Sequence, residues 1–212
     1  MKQKKLRGKY DLVVSLGAPC QVAEQMNRHN LRVQAFPFDW TVLENVECLI
    51  NAIENGFEDY FSLENMEVQK RHEHTYLVFD NKYQVMSVHD FPIVEDDDRE
   101  KIFSVYPVFH EKMQRRINRF YNEIKKSRRT LFIRYHATHE DTIKLQKCLK
   151  AITNNHFALI VLNETQSRDL LEEEWYIDNT YTAKICQAPD IPWQGCQEHW
   201  DYVLKGISLK NS

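Results

Sequence analysis

Apolar and polar positions at the N-terminal end of the chain predict a strand, a tight turn and a helix. The run Tyr10–Leu16 is mostly apolar, partly β-branched and followed by Gly17, which is typical of a short buried strand. Apolar residues then recur at helical spacing over 21–29, and Pro19 suits the first turn of such a helix. Cys20 therefore lies where a strand turns into a helix.

The next segments predict a helix followed by a β-hairpin. Thr41 with Glu44 three residues later has the pattern of a capping box, and the helix that follows is expected to end at Gly56. Two runs rich in aromatic and β-branched residues, Thr75–Phe79 and Tyr83–Val88, are typical of paired strands. The hairpin is expected to present His89 and Asp90 at its end.

The remaining chain alternates helical and strand patterns. The acidic run 95–98 suits a loop or a helix start, and a long helix with an apolar stripe follows. The order strand, helix, strand then predicts a right-handed βαβ unit. The predicted elements are a helix over 109–124, strand 131–135, helix 140–152, strand 157–162, a helical turn at 170–175, strand 180–185 and helix 197–204. Together they predict an α/β fold with a mainly parallel sheet flanked by helices and an added β-hairpin.

Composition narrows this picture. With 212 residues and 42% hydrophobic content, the chain fits one domain over 1–212 better than two small ones. A net charge of -3 gives no global reason to bind nucleic acid or an anionic membrane. No stretch is long and apolar enough to span a bilayer, so we expect a cytoplasmic protein. The five cysteines are scattered, which argues against a disulfide framework.

Cys20 is the cysteine whose surroundings suggest chemistry. Free N–H groups and the dipole at a helix N-terminus favour the thiolate form, which is the nucleophile, and the same N–H groups can stabilise an oxyanion. Sites in open α/β sheets also lie beyond the carboxyl ends of strands. The alternative is a buried structural cysteine in a tight turn.

A cysteine nucleophile needs a histidine base and a group that orients the imidazole. His89 is the first candidate base, because the end of a strand would hold its ring firmly. Asp39, between two aromatic residues, is the candidate orienting carboxylate, since a carboxylate among aromatic rings needs a definite partner. Asp39 could instead serve a turn or a helix cap. Asp90 is the reserve carboxylate.

A second group of polar residues follows the predicted strand at 131–135. His136 and His139 are alternative bases, and Arg134 could hold a carboxylate or phosphate of a substrate. Their spacing fits no strong zinc pattern, and no nucleotide-binding motif occurs, so neither a metal nor a cofactor is predicted. Residues predicted to contact the substrate are Gly17, Gln21, Arg134 and His136. Arg115, Arg116 and Arg119 fit a solvated helix face or an anion-binding patch.

These motifs resemble a known family. The segments Tyr10–Gly17, Cys20–Glu24, Phe36–Trp40 and Val88–Phe91 are similar to the signature of a bacterial family of predicted papain-like cysteine peptidases. The resemblance implies a hydrolase based on cysteine and histidine, with Cys20, Asp39, His89 and Asp90 at motif positions. The Cys-Gly-Ser-Cys-Trp segment of true papain enzymes is absent. The strand, turn and helix order also resembles flavodoxin-like esterases and some polysaccharide acyltransferases.

Two hypotheses of different kinds follow. The first is a cysteine-dependent hydrolase or acyltransferase acting on a small-molecule or peptide substrate, with Cys20 as nucleophile and His89 as base. The second is a non-catalytic domain that binds an anion or a phosphosugar through N–H groups and arginines. A scaffold without a ligand is a third, simpler possibility.

Overall fold

A five-stranded sheet forms the centre of the computed structural model, which describes residues 1–210. Its strands lie in the order β2, β7, β8, β10 and β9. The first three pairings are parallel, and β9 joins the edge antiparallel to β10. The strands are β2 (Leu12–Ser15), β7 (Arg129–Tyr135), β8 (His156–Thr165), β9 (Leu171–Glu173) and β10 (Thr180–Cys186). The α/β fold with a mainly parallel sheet is confirmed.

Both faces of this parallel sheet are buried. Leu131 and Ile133 of β7 belong to one apolar cluster, whereas Phe132 between them belongs to the other, as the period of two in a strand requires. Helices cover each face: α1 (Gln21–Arg28) and α6 (Gln197–Val203) contribute to one cluster, and α2 (Val46–Glu54), α4 (Tyr106–Lys126) and α5 (His139–Ile152) to the other.

The βαβ unit forms as its pattern predicts. Helix α5 connects β7 to the parallel β8, and Thr138 caps its start in a capping box with Asp141. A short pair of parallel strands, β1 (Gly8–Tyr10) and β11 (Ile207–Leu209), joins the two ends of the described chain. A five-residue helix, α3 (Arg99–Phe103), begins after the cap Asp98, at the end of the acidic run.

A second, antiparallel sheet has four strands rather than the two of a hairpin. Its order is β3 (Thr41–Val42), β6 (Val85–Pro92), β5 (Thr75–Asp80) and β4 (Met66–His72). Strand β4 was not predicted because its sequence is mostly polar and its side chains are mostly exposed. His89 and Asp90 lie within β6 and not at its end.

The predicted helix start at Thr41 is wrong. Thr41 and Val42 pair with Ser87 and Met86 of β6, and helix α2 begins at Val46. Asn45 is the cap, because its side chain accepts hydrogen bonds from two backbone N–H groups of the first turn. The capping-box spacing was present, but the edge of β6 provided a partner for Thr41 that no local pattern reveals.

The predicted helical turn at 170–175 is also wrong, since this segment supplies the edge strand β9. No helix within residues 1–210 combines the length and apolarity needed to cross a membrane.

Candidate active site

The turn between β2 and α1 places Cys20 at the helix start. Gly17 and Ala18 both have positive φ, 73° and 95°, so the chain reverses direction within two residues. A side chain at Gly17 would also come within 3.3 Å of the Phe38 carbonyl oxygen. Cys20 occupies the N-cap of α1, and the N–H groups of the first helical turn have no acceptor within the helix.

The structure brings Cys20 and His89 together. The Cys20 Sγ lies 3.8 Å from His89 Nε2, although the two residues are 69 positions apart in the chain. Cys20 is half-buried and His89 is exposed. The distance allows a thiol hydrogen bond and direct proton transfer from sulfur to the imidazole.

The environment disfavours a preformed thiolate. Burial raises the pKa of the Cys20 thiol to about 11, and the negative charges of Asp39 and Asp90 act in the same direction. The backbone lowers the pKa, but by less. The helix start was expected to favour the thiolate, and the structure reverses that direction because burial outweighs the N–H groups.

Trp40 holds the histidine ring. Its indole meets the His89 imidazole edge to face, with ring centroids 5.8 Å apart. Arg32 in turn lies over the Trp40 ring at 5.5 Å. Within residues 1–210 we find no hydrogen bond to the second nitrogen of His89, so aromatic packing orients the ring rather than a carboxylate. Sequence reasoning missed Trp40, although it stands in the Phe36–Trp40 segment.

Asp39 does not contact His89, contrary to its expected role. Its carboxylate is 1% exposed and accepts hydrogen bonds from Arg32 Nε and from the Phe36 N–H, both at 3.1 Å. Burial raises the pKa of this carboxyl, and Arg32 opposes the effect. Asp39 therefore fixes the turn that carries Trp40, as the alternative interpretation of this residue proposed.

Asp90 is engaged elsewhere as well. One oxygen accepts a 2.7 Å hydrogen bond from Ser87 Oγ, and the other pairs with Lys112 of α4. Neither oxygen hydrogen-bonds His89. A triad with a carboxylate third member is therefore not formed by either predicted acid, and the site is a Cys20–His89 pair.

A cleft of about 350 Å³ adjoins the His89 side of this pair. It is lined by Trp40, His89, Asp90 and Arg116, and we call it the Trp40 cleft. The imidazole that contacts the Cys20 sulfur thus also forms one wall of the cleft. Its size lies at the lower end of the range for small-molecule sites.

A family model described as "Putative papain-like cysteine peptidase (DUF1796)" matches residues 11–167. The match includes both members of the Cys20–His89 pair and every residue lining the Trp40 cleft. The chain belongs to this family.

A viral protein is also similar to this member of the peptidase-like family. An uncharacterized protein of Acanthamoeba polyphaga mimivirus is 30% identical over 138 residues, which is 58% of this chain and 60% of the viral one. The chain thus spans less than two thirds of that relative's length. No solved structure matches the chain.

In this family member, Arg134 is not accessible at the surface to bind a substrate. It is 0% exposed, and its guanidinium donates to the carbonyl oxygens of Leu16, Leu43, Glu44 and His136. Burial lowers its pKa to about 9. The predicted substrate role is therefore corrected: Arg134 ties the Cys20 turn and the segment before α2 to the end of β7.

Gln21 is likewise a structural residue. Its amide group donates to Gln187 Oε1 and to the Trp193 carbonyl oxygen, and its oxygen accepts from Trp200 Nε1. Gln21 is 3% exposed, and both polar atoms of its side chain are engaged in these hydrogen bonds. Its side chain instead anchors α1 to the C-terminal segment, which lies beyond the residues matched by the family model.

His136 lies apart from the Cys20–His89 pair. It follows β7 with a φ of 60°, and its Nε2 lies 3.3 Å from Glu164 Oε1. It lines a different cleft, together with Trp175 and Thr138, and His139 contacts the Trp175 carbonyl oxygen. Neither alternative base approaches the cysteine. Among residues 1–210 no group of three His, Cys, Asp or Glu side chains is arranged to hold a metal.

Proposed function

We propose that the protein is a cysteine-dependent acyl-transfer enzyme, a hydrolase or acyltransferase in which Cys20 is the nucleophile and His89 the general base. The observation that carries the proposal is the 3.8 Å contact between Cys20 Sγ and His89 Nε2 at the start of α1. Membership of a family described as papain-like peptidases supports the same reaction class.

The raised thiol pKa defines how the first step proceeds. Because the thiol is protonated at neutral pH, His89 Nε2 takes its proton as sulfur bonds to the acyl carbon. The carbonyl electron pair moves onto oxygen, and the N–H groups of Gln21 and Val22 at the start of α1 are the available donors to that oxyanion.

The later steps return the proton. The tetrahedral intermediate collapses and expels the leaving group, which takes the proton from His89 and leaves a thioester on Cys20. Water or another acceptor then attacks the thioester carbonyl while His89 accepts its proton. Cleavage of the C–S bond releases the acyl product, and the thiolate recovers the proton from His89.

A test uses 4-nitrophenyl acetate and peptide mass mapping. We expect an acetyl group on Cys20 before Cys48 and Cys196, which are also half-buried. His89→Gln should slow acetylation of Cys20 by about 10²- to 10⁴-fold, the usual contribution of a general base. His89 is exposed on β6, so this variant is expected to fold, and circular dichroism checks it.

The matched control is Cys196→Ala, which removes another half-buried helix-cap cysteine, one for which residues 1–210 provide no histidine hydrogen bond. It should acetylate at Cys20 as fast as the unmodified chain. Equal acetylation of Cys20 and Cys196, or an unchanged Cys20 rate in His89→Gln, would refute the proposed function.

A further inference from the structure

The charges around the Trp40 cleft are not balanced by the chain itself. Lys112 pairs with Asp90, and Arg32 pairs with Asp39 at 3.1 Å. These two ion pairs engage both carboxylates near the cleft, and within residues 1–210 the second Asp39 oxygen, Oδ1, is buried without a hydrogen-bond partner. Two carboxylates thus face four cations, Arg32, Lys112, Arg116 and Arg119, which leaves the neighbourhood with a net positive charge.

Arg116 is one of these cations. It lies half-buried on α4 and lines the cleft beside His89. Asp90 and Asp39 attract its charge, but within residues 1–210 we find no hydrogen bond or close ion pair to its guanidinium. Its neighbour on the helix, Arg119, adds positive charge nearby and donates to the Ala35 carbonyl oxygen at 2.8 Å.

A guanidinium has five N–H donors, and burying them without acceptors is unfavourable. Burial also lowers the pKa of Arg116, as expected for a cation withdrawn from water. The preferred partner of a planar guanidinium is a carboxylate or phosphate, which it binds with two parallel hydrogen bonds. The cleft of about 350 Å³ admits a compact molecule that carries such a group.

We propose that Arg116 determines substrate specificity by binding an anionic oxygen group, carboxylate or phosphate, on the acyl substrate. The inference rests on the proposed function and names its substrate class: small acyl compounds with a negative charge close to the carbonyl that Cys20 attacks. Arg116 is not assigned a part in bond making or breaking.

The kinetic test compares matched esters. The anionic probes are the mono-4-nitrophenyl esters of succinate and glutarate, and the neutral probes are the same compounds with the second carboxyl methylated. We expect a higher kcat/KM for the anionic member of a pair. Arg116→Gln should reduce the anionic-to-neutral ratio at least about tenfold, the scale of a lost hydrogen bond to a charged group.

Arg115→Gln is the matched control. Arg115 is the next residue on α4, but it is exposed and pairs with Glu111 one turn away. This variant should have the same anionic-to-neutral ratio of kcat/KM as the unmodified chain. If the ratio survives in Arg116→Gln, or the unmodified chain does not prefer the anionic ester, the inference is wrong while the proposed function stands.

A binding experiment distinguishes the proposed anion site at Arg116 from the proposed acyl-transfer activity of Cys20. Calorimetry with Cys20→Ala measures binding of glutarate and of inorganic phosphate, which also distinguishes a carboxylate site from a phosphate site. Arg116-dependent binding without any acylation of Cys20 in the unmodified chain would keep the anion site and reject the enzyme. Absence of binding, or equal binding after Arg116→Gln, would overturn the anion site.

Discussion

The pH dependence of Cys20 alkylation tests the most unusual property of the site, the raised pKa of the Cys20 thiol. A pKa of about 11 leaves about 0.01% thiolate at pH 7, whereas an ordinary cysteine of pKa about 8.5 has about 3%. The thiolate population is therefore about 300-fold smaller. The perturbation is a change of pH, and the reagent is iodoacetamide, which reacts with the thiolate.

The smaller thiolate population lowers the alkylation rate, but part of this decrease is offset because thiolates of higher pKa are stronger nucleophiles. With a Brønsted coefficient of about 0.45, the difference of about 2.5 in pKa restores about 13-fold. Cys20 should therefore react about 20-fold more slowly than an ordinary thiol at pH 7. The reference is the same chain unfolded in guanidinium chloride, and peptide mass mapping follows each cysteine separately.

Because the pKa of Cys20 is raised, its alkylation rate should increase with pH over the whole neutral and mildly alkaline range. The logarithm of the alkylation rate should rise with a slope of about one from pH 7 to pH 10, and level off only near pH 11. His89→Gln should hardly change alkylation, because burial sets the thiol pKa, yet it should strongly slow acetylation by 4-nitrophenyl acetate.

A preformed thiolate–imidazolium pair would behave differently. Alkylation would then be fast and nearly independent of pH between 6 and 8, and His89→Gln would slow it. That result would refute the reasoning that burial determines the protonation state of Cys20, and with it the proposed transfer of the thiol proton to His89 during the attack on the acyl carbon.

The remaining predictions concern stability and are measured by urea unfolding followed by circular dichroism. Gly17→Ala should destabilise the fold by about 1–2 kcal/mol or more, because its φ is 73° and its new side chain would approach the Phe38 carbonyl; an unchanged midpoint would contradict this strain. Arg134→Met should cost about 3–5 kcal/mol, because four backbone carbonyl oxygens lose a buried donor, and a cost below about 1 kcal/mol would show that water replaces it. Asn45→Ala should cost about 1 kcal/mol through loss of the α2 cap, whereas Asn51→Ala on the exposed side of the same helix should be nearly neutral; equal effects would reject the cap.

Local patterns were sufficient for the strand, turn and helix around Cys20. The apolar run before Gly17, the glycine itself and Pro19 each act within a few residues, so the sequence indicates the N-cap position directly. The βαβ unit was predictable for the same reason, since Thr138 and Asp141, three residues apart, cap the start of α5.

Local patterns failed where a distant segment competed. Thr41 has the spacing of a helix cap, yet it pairs with Ser87 across the antiparallel sheet. Asp39 stands between aromatic residues, as expected of a carboxylate that orients a histidine, yet its carboxylate accepts hydrogen bonds from Arg32 and from the Phe36 N–H. In each case the decisive hydrogen bond depends on how the surrounding chain folds.

By itself, the sequence determined that a cysteine lies at the start of a helix, directly after the turn that follows a strand. It also selected His89, among nine histidines, as the candidate partner of that cysteine. Only the tertiary structure set their 3.8 Å separation, buried Arg134 and Gln21 among structural hydrogen bonds, and left Arg116 without a close partner in the part of the chain described. It also reversed the expected direction of the Cys20 pKa. The physical reason is that helix caps and turns are governed by neighbours in the chain, whereas desolvation and charge pairing are governed by neighbours in space.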